Sequence, residues 1–435
     1  MRLAYIAAGA AGMYCGTCIH DNTLAAALKR RGVDVALIPT YTPLRTDEEN
    51  VSLDRVFYGG INVFLQQKWS LFRHTPRALD RLLDGPRLLN SLSRFSASTS
   101  ARDLGALTVS VLKGEQGHQH KELDRLAAWL KSDFKPDIVQ LTNAMFSGMG
   151  RQLKAELNVP VLCGLQGEDI FLEQLIEPYK TQAQETLRER ARDIDAFIAP
   201  CTYYRDYMAA YMQVAPEKIH VAPLGLNLAG HGEAPPPSTD APRKIGYLAR
   251  ICPEKGFHLL VDAFRILKEQ PDFADLRLEA AGYLGARDKS YFDEQLKKIQ
   301  SWGYTNFFTY HGEVDRAKKI RFLSDLDIFS MPTTYPEPKG LSILEALANG
   351  TPVVQPNHGT FPEMLETTGG GLLFKPHSPE ALAKNIAWLL RDEKLRIQLG
   401  QIGKQTVHTR FHDATTAATT FAIYEQYAPA TDPDG

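Results

Sequence analysis

Apolar residues along this chain gather in short, near-continuous runs separated by longer stretches in which they recur every three or four positions. Runs at Arg2–Ala8, Val33–Pro39, Asp137–Leu141, Val159–Gly164 and Ala196–Pro200 predict strands. Short apolar runs bounded by turn formers suit strands that are covered on both faces. Leu24–Arg31, after the first of them, has helical spacing. The alternation restarts further on, with strands expected at Lys244–Ala249, Leu276–Ala281, Phe307–Tyr310, Ile328–Met331, Pro352–Gln355 and Gly371–Phe374. Helical segments lie between them. This rhythm predicts an α/β protein built from two doubly wound, Rossmann-like parallel sheets.

Between the two series lies Ala229–Arg243, reading AGHGEAPPPSTDAPR. Three consecutive prolines cannot continue a sheet or a helix, so this segment predicts a linker. The expected domains are 1–228 and 244–410, joined by 229–243, with a last helix at 411–427 packing back on the first domain. No short internal repeat is visible, and Pro429–Gly435 reads as a disordered tail. Ligands of such sheets bind outside the carboxyl ends of the strands, so two facing domains would form a cleft. Between Arg45 and Leu126 the rhythm is lost. There Lys68–Arg102 carries one Lys and six Arg against Asp80 and Asp84, interleaved with Trp69, Phe72, Leu82, Leu89 and Phe95. Such a stretch fits helices with a solvated basic face. It also offers a peripheral contact with anionic lipid or a phosphorylated acceptor.

Composition narrows the function. With 435 residues the chain is long enough for two or three domains of about 100–200 residues each. Forty-nine Lys and Arg against 51 Asp and Glu exclude wholesale nucleic-acid binding, which needs a basic excess. No apolar run approaches the ~20 residues of a membrane helix. The start, from Met1 to Met13, is rich in Gly and Ala and runs into Tyr14-Cys15-Gly16 without a small-x-small cleavage site. It therefore reads as a strand and turn rather than a signal peptide. Five sparse cysteines (Cys15, Cys18, Cys163, Cys201, Cys252) fit a reducing, cytoplasmic compartment. Cys15 and Cys18 form a lone C-x-x-C with no second pair for zinc, and read as small residues in a tight turn. Of the twelve histidines His118 and His120 are the closest pair, and no cysteine lies near them in sequence. No D-x-D-type acidic pair stands in a plausible place, so neither a metal nor a cofactor is expected.

The most specific signal is Tyr335-Pro336-Glu337-Pro338-Lys339-Gly340-Leu341-Ser342-Ile343-Leu344-Glu345-Ala346. Pro336 and Pro338 hold an extended loop, Gly340 permits a sharp turn, and a helix is expected from about Leu341. A helix start presents unpaired N–H groups and a partial positive charge, which suit a phosphate. Glu337 precedes that helix and Glu345 lies about one turn inside it. The two acids can flank one bound molecule, each taking hydroxyl donors. A phosphate in the middle with a sugar at each end describes a nucleotide diphosphate sugar.

At this point the sequence resembles the family 4 retaining glycosyltransferases of GT-B architecture. Their signature is a Glu, seven residues, then a Glu, and Glu337 and Glu345 match it with Gly340, Leu341 and Ser342 between them. The resemblance implies that Glu337 contacts the donor sugar and Glu345 the nucleotide ribose. It also implies a loop Arg and Lys five residues apart, matched by Arg250 and Lys255 in Gly246–Gly256, where two cations can neutralise the departing diphosphate. Leu278–Gly282 and Tyr310–Val314 resemble the segments lining the nucleobase pocket, and Gly312 and Val314 are assigned to backbone base contacts.

Matches in the first domain are weaker. Relatives carry a glycine pair after the first strand, and here Cys15-Gly16-Thr17 leaves only Gly16. Leu165-Gln166-Gly167-Glu168-Asp169-Ile170 is similar to a His-Gly-x-Asp element near the donor sugar, with Gln166 in place of His. A neutral amide can hydrogen-bond a hydroxyl but cannot shuttle a proton. Asp169 reads equally as a donor contact or as a helix N-cap. Pro223–Asn227 resembles the segment that closes the first domain. The resemblance thus implies metal-independent, front-face sugar transfer from a nucleotide diphosphate sugar, with UDP the most frequent nucleotide among relatives. The acceptor is a lipid, a small molecule or a glycan. A nucleotide-sugar epimerase and a non-catalytic sugar-nucleotide-binding protein are the alternatives.

Overall fold

The computed structural model describes residues 1–9, 15–59, 63, 66–67, 101–235 and 241–428. The basic stretch Lys68–Arg102 lies outside the described residues up to position 100. So do the tail Pro429–Gly435, positions 10–14 of the leader-like start and the centre of the proline-rich segment.

The chain forms two units, one of Met1–Gly225 together with the segment from Asp413, the other of Leu226–His412. The first is built on a seven-stranded sheet of β1 (Arg2–Ala8), β2 (Asp34–Tyr41), β3 (Phe57–Gly59), β4 (Ile138–Leu141), β5 (Val161–Gly164), β6 (Ala196–Ala199) and β7 (Ile219–Val221). The order is β3-β2-β1-β4-β5-β6-β7, with every pairing parallel. Both faces are covered, which is why the strands read as continuous apolar runs rather than alternating ones. Leu3, Tyr5 and Ala7 pack under Leu24 and Leu28 of the helix Gly16–Arg30 and under Ala417 and Tyr424 of the helix Asp413–Tyr427. Ala4 and Ile6 face the opposite layer, with Leu123, Leu126, Leu153 and Leu187. The last helix is fixed by an Arg30–Asp413 ion pair and by Thr416 Oγ1 donating to the Pro223 carbonyl at 2.8 Å.

The helix Gly16–Arg30 begins eight residues before the helical spacing that starts at Leu24. Its inward face carries Asp21, Asn22 and Thr23, all buried, so polar side chains hide the apolar period there. β3 and β7 are absent from the sequence reading, β3 lying in the stretch from Arg45 where the strand–helix rhythm is lost.

The second unit holds β8 (Lys244–Leu248), β9 (Arg277–Ala281), β10 (Phe308–Tyr310), β11 (Ile328–Phe329), β12 (Val353–Pro356) and β13 (Gly371–Phe374) in the order β10-β9-β8-β11-β12-β13. These strands are also all parallel. In both sheets the order reverses beside the first strand, between β1 and β4 and between β8 and β11. That switch point is where an α/β sheet opens a crevice at the carboxyl ends of its strands.

The expected linker 229–243 is not free at its start. His231 is buried and its Nδ1 lies 2.9 Å from Asn349 Nδ2, while the Gly232 N–H donates to Asn349 Oδ1 at 2.9 Å. Arg316 donates to the carbonyls of Asn227 and Ala229, so this approach segment belongs to the second unit. Among the described residues no helix is long and apolar enough to cross a membrane. The five cysteines are unbridged, and Cys18 donates to the Ala8 carbonyl at 3.1 Å.

Candidate functional site

In the second unit the site grows from the loops after β8 and β11. After β8 a short turn, Pro253–Lys255, leads through Gly256 into the helix Phe257–Lys268. Gly256 has φ +72°, and a Cβ there would stand 1.8 Å from the Pro332 carbonyl oxygen. Only glycine permits this close approach of the two loops. Thr334 completes the junction, its N–H donating to the Glu254 carbonyl at 2.9 Å. The loops therefore hold Lys255 beside Glu337.

The Lys255 ammonium donates to Glu337 Oε2 at 2.6 Å, and the Tyr335 hydroxyl donates to the same oxygen at 2.7 Å. Lys255 also stands 5.1 Å from the centre of the Tyr335 ring. Glu337 is buried, and burial alone would raise its carboxyl pKa. The adjacent Lys255 charge and the two hydrogen bonds outweigh that, and the value falls from 4.5 to about 2. For Lys255 burial works to lower the pKa, and Glu337 reverses it, so the ammonium is held above its usual range. Both groups are ionised at neutral pH. Arg250 lies five residues before Lys255, half-buried, with Nη2 3.8 Å from Glu254 Oε2. Because Glu337 already balances Lys255, Arg250 is the better placed of the two expected cations to offset added negative charge.

A carboxyl lowered by folding stabilises the folded state above its unfolded pKa and loses that contribution as pH falls toward the folded value. The advantage of the wild type over Glu337→Gln should therefore be full above about pH 4.5 and vanish near pH 2. Denaturant titrations at pH 6 and pH 2 check this, and a gap of unchanged size at both would contradict it.

Gly340, with φ +69°, turns the chain into the helix Leu341–Ala348. Its N–H points at Glu337 Oε1 at 3.5 Å. The helix's first N–H groups have no intrahelical partner and face the same loop end. Ser342 Oγ contacts Met331 Sδ at 3.6 Å. Glu345, buried one turn inside, is paired with the buried Lys319 ammonium at 2.5 Å. Each of the two signature acids thus has its own cation. Gly312 follows β10 with φ +69°, and its carbonyl accepts from the Gly282 N–H at 2.8 Å. Val314 is half-buried two residues on. Beside them His311 Nε2 lies 2.7 Å from Glu279 Oε2.

In the first unit Gly16 starts the helix after β1, and Gln166 follows β5. The Gln166 amide donates to Asp21 Oδ1 at 2.8 Å and to the Thr142 carbonyl at 3.0 Å. Its backbone N–H donates to Glu168 Oε2 at 2.7 Å, and Glu168 Oε1 accepts from the Ala144 N–H at 2.9 Å. Asp169 is not the helix N-cap. Gly167, at φ +98°, caps the helix Glu168–Glu173, and Asp169 instead accepts from the Tyr204 hydroxyl at 2.5 Å. Burial raises the pKa of both Glu168 and Asp169.

The sequence reading did not single out Lys319, Tyr335, Asp21 or Thr142. Tyr335 heads the motif, but the sequence reading gives it no role there. The others meet their partners only through the fold, Asp21 lying 145 residues from Gln166. Among the described residues no cluster of three or more His, Cys, Asp or Glu could hold a metal ion.

Residues 22–225 match the family described as glycosyl transferase 4-like domain, and residues 233–406 match glycosyl transferases group 1. A D-inositol 3-phosphate glycosyltransferase of Jonesia denitrificans is 27% identical over 71% of each chain. A phosphatidyl-myo-inositol mannosyltransferase of Mycobacterium leprae is 28% identical over 40% of this chain and 44% of its own length. For the Mycobacterium leprae relative, and for a D-inositol 3-phosphate glycosyltransferase of Corynebacterium efficiens, the chain spans about half of the relative's length, 44% and 52%. Among solved structures, Anabaena Alr3699/HepE in complex with UDP superposes with a TM-score of 0.69 at 16% identity, covering 98% of this chain and 100% of that one.

Proposed function

The chain belongs to the family 4 glycosyltransferases of GT-B architecture, and on that premise we propose that it moves a sugar from a nucleotide diphosphate sugar to an acceptor hydroxyl, with retention at the anomeric carbon and without a metal. The observation that carries the reading is the buried Lys255–Glu337–Tyr335 cluster beside the start of the helix Leu341–Ala348. An ionised acid next to unpaired N–H groups suits a ligand that presents hydroxyls at one point and phosphate at the next.

In this reading Glu337 takes hydroxyls of the donor sugar, and Glu345 takes those of the ribose. Gly340, Leu341 and Ser342 offer N–H groups to the diphosphate. Arg250, with Lys255, offsets the charge that develops as the sugar–phosphate bond breaks. The leaving phosphate oxygen accepts the proton of the attacking hydroxyl, so no further acid or base is required. Gly312 and Val314 meet the nucleobase through their backbone. Gly16, Gln166 and Asp169 are the first unit's donor contacts. UDP is the favoured nucleotide, supported by the UDP complex of a protein with the same fold. Relatives named for inositol-containing acceptors support a polyol or lipid headgroup as acceptor. A lipid acceptor would give the basic stretch 68–102 a role at an anionic membrane face.

A thermal-shift panel of UDP-, GDP- and ADP-glucose tests the donor site. A ligand at 100 times its Kd stabilises by about 2.7 kcal/mol. For a unit of this size that corresponds to a Tm rise of about 5–10 °C. The UDP-sugar should give the largest rise, and no shift with any of the three would overturn the proposal. Conversion of the sugar nucleotide without acceptor would identify an epimerase instead.

A further inference from the structure

Two of the five cysteines share one face of the first sheet. Cys18 is buried in the layer that holds Leu24, Leu28 and Tyr424, and Cys15 packs against that same layer. Cys163 and Cys201 lie in the opposite layer, and Cys252 belongs to the second unit. Cys15 is thus the one cysteine placed to pair with Cys18.

The sequence reads the two as small residues in a tight turn, but in the structure they open a helix. Cys15, with extended backbone (φ −123°, ψ 130°), is the N-cap of the helix Gly16–Arg30, and Cys18 is its third residue. The Cys15 carbonyl accepts from the Ile19 N–H at 3.0 Å, so the first helical turn closes on Cys15. One such turn sets the Cα atoms of residues three apart about 5–6 Å from each other, inside the range of about 4.4–6.8 Å that a disulfide spans. The N-cap is also the position from which a side chain reaches the third helical residue. Cys15 does not use its sulfur as a cap. The helix connects the parallel strands β1 and β2, and a C-x-x-C at the start of such a helix is the arrangement of a dithiol–disulfide couple. Exposure separates the two thiols. Cys15 is half-buried and meets solvent, while Cys18 is buried, its Sγ donating to the Ala8 carbonyl at 3.1 Å.

We propose that Cys15 and Cys18 are a redox pair, which closes to a disulfide by exchange with a small-molecule disulfide such as oxidised glutathione and so lowers affinity for the donor. The Cys15 thiolate attacks one sulfur of the incoming disulfide, whose S–S bond breaks and releases one thiolate. The Cys18 thiolate then attacks Cys15 Sγ, and the second thiolate leaves. The two cysteines are oxidised, the small disulfide is reduced to two thiols, and the two protons pass to the departing thiolates. Closure removes the proton that Cys18 gives to the Ala8 carbonyl at the end of β1, and it clamps residues 15–18 around Gly16. The effect on the donor rests on the glycosyltransferase reading, which makes Gly16 a donor contact. The redox pair itself rests on the placement of the two cysteines.

The full-length protein, first reduced and then equilibrated with oxidised glutathione, tests both parts. Trypsin leaves both cysteines in one peptide, Leu3–Lys29. After unfolding and alkylation, mass spectrometry should find that peptide unalkylated and two hydrogens lighter, while Cys163, Cys201 and Cys252 are alkylated. Cys18→Ser should stop the exchange halfway and retain a glutathione adduct on Cys15, and Cys15→Ser should form neither adduct nor bridge. Calorimetry should show UDP-glucose bound at least about tenfold more weakly by the oxidised wild type, the scale of one lost hydrogen bond to a charged group. Dithiothreitol should restore the affinity, and Cys15→Ser should bind equally in either buffer. The wild-type peptide decides even where a serine variant fails to fold. Full alkylation of that peptide after oxidation overturns the redox pair, and a closed bridge with unchanged UDP-glucose affinity overturns its effect on the donor. A reduced wild type that forms the bridge on oxidation but binds neither UDP nor UDP-glucose would instead overturn the glycosyltransferase reading.

Discussion

Replacing Arg250 with alanine is expected to lower kcat by about 10²–10³ while leaving the fold intact. The magnitude is that of removing one preorganised charge-stabilising donor from a reacting centre. Two features of the site point to this residue rather than to its neighbour. Lys255 is already matched by Glu337 at 2.6 Å, so its charge chiefly keeps that acid ionised and oriented. Arg250 is half-buried, and its contact with Glu254 is a loose 3.8 Å. An exposed or half-exposed pair of that length contributes about 0–1 kcal/mol to stability. The Tm of Arg250→Ala should therefore stay within a few degrees of wild type, and KM for the donor should change less than kcat. Lys255→Met should behave differently. It strands a buried carboxylate, which costs about 3–5 kcal/mol, so activity and stability should fall together. Steady-state kinetics with melting curves on both variants separate the two roles. An unchanged kcat in Arg250→Ala would remove it from the chemistry.

How much of this was legible in the sequence depends on how far apart the cooperating residues lie. The central strands could be read because both their faces are covered, which writes burial into consecutive positions, as in Arg2–Ala8. β3 was not read because it lies in the stretch where the alternation of strands and helices is lost, and β7 was not read either. The helix from Gly16 was half hidden because it turns Asp21, Asn22 and Thr23 inward, where a polar knot replaces the apolar stripe. Glu337 and Glu345 were legible because they share one continuous segment with the turn and helix that present them. Their cations were legible only in part. Lys255 followed from its spacing to Arg250, but Lys319 sits on the helix Arg316–Ser324, whose sequence marks it as one more charged surface position. Nothing local distinguishes a lysine that folds inward to meet an acid 26 residues away. His231 was read as linker for the same reason, since its partner Asn349 is 118 residues distant.

The Lys319–Glu345 pair carries the second large expected effect, because stability and binding can be pulled apart there. Both side chains are buried, so removing either one leaves a charge without its partner in a medium that solvates it poorly. Glu345→Leu and Lys319→Met should each cost about 3–5 kcal/mol. In a unit of this size that lowers Tm by about 6–20 °C. Removing both together should cost little, since replacing a buried pair with apolar residues of similar volume is often neutral or stabilising. If Glu345 also takes the ribose hydroxyls, the double variant will be stable yet bind UDP poorly. Two hydrogen bonds to a charged acceptor are worth about 1.5–3 kcal/mol each, so Kd should rise at least about 10²-fold. Melting curves and calorimetry on the three variants give the answer in one series. A double variant as unstable as either single would show that the two groups do not act as a pair, and one that binds UDP as tightly as the wild type would take the ribose away from Glu345.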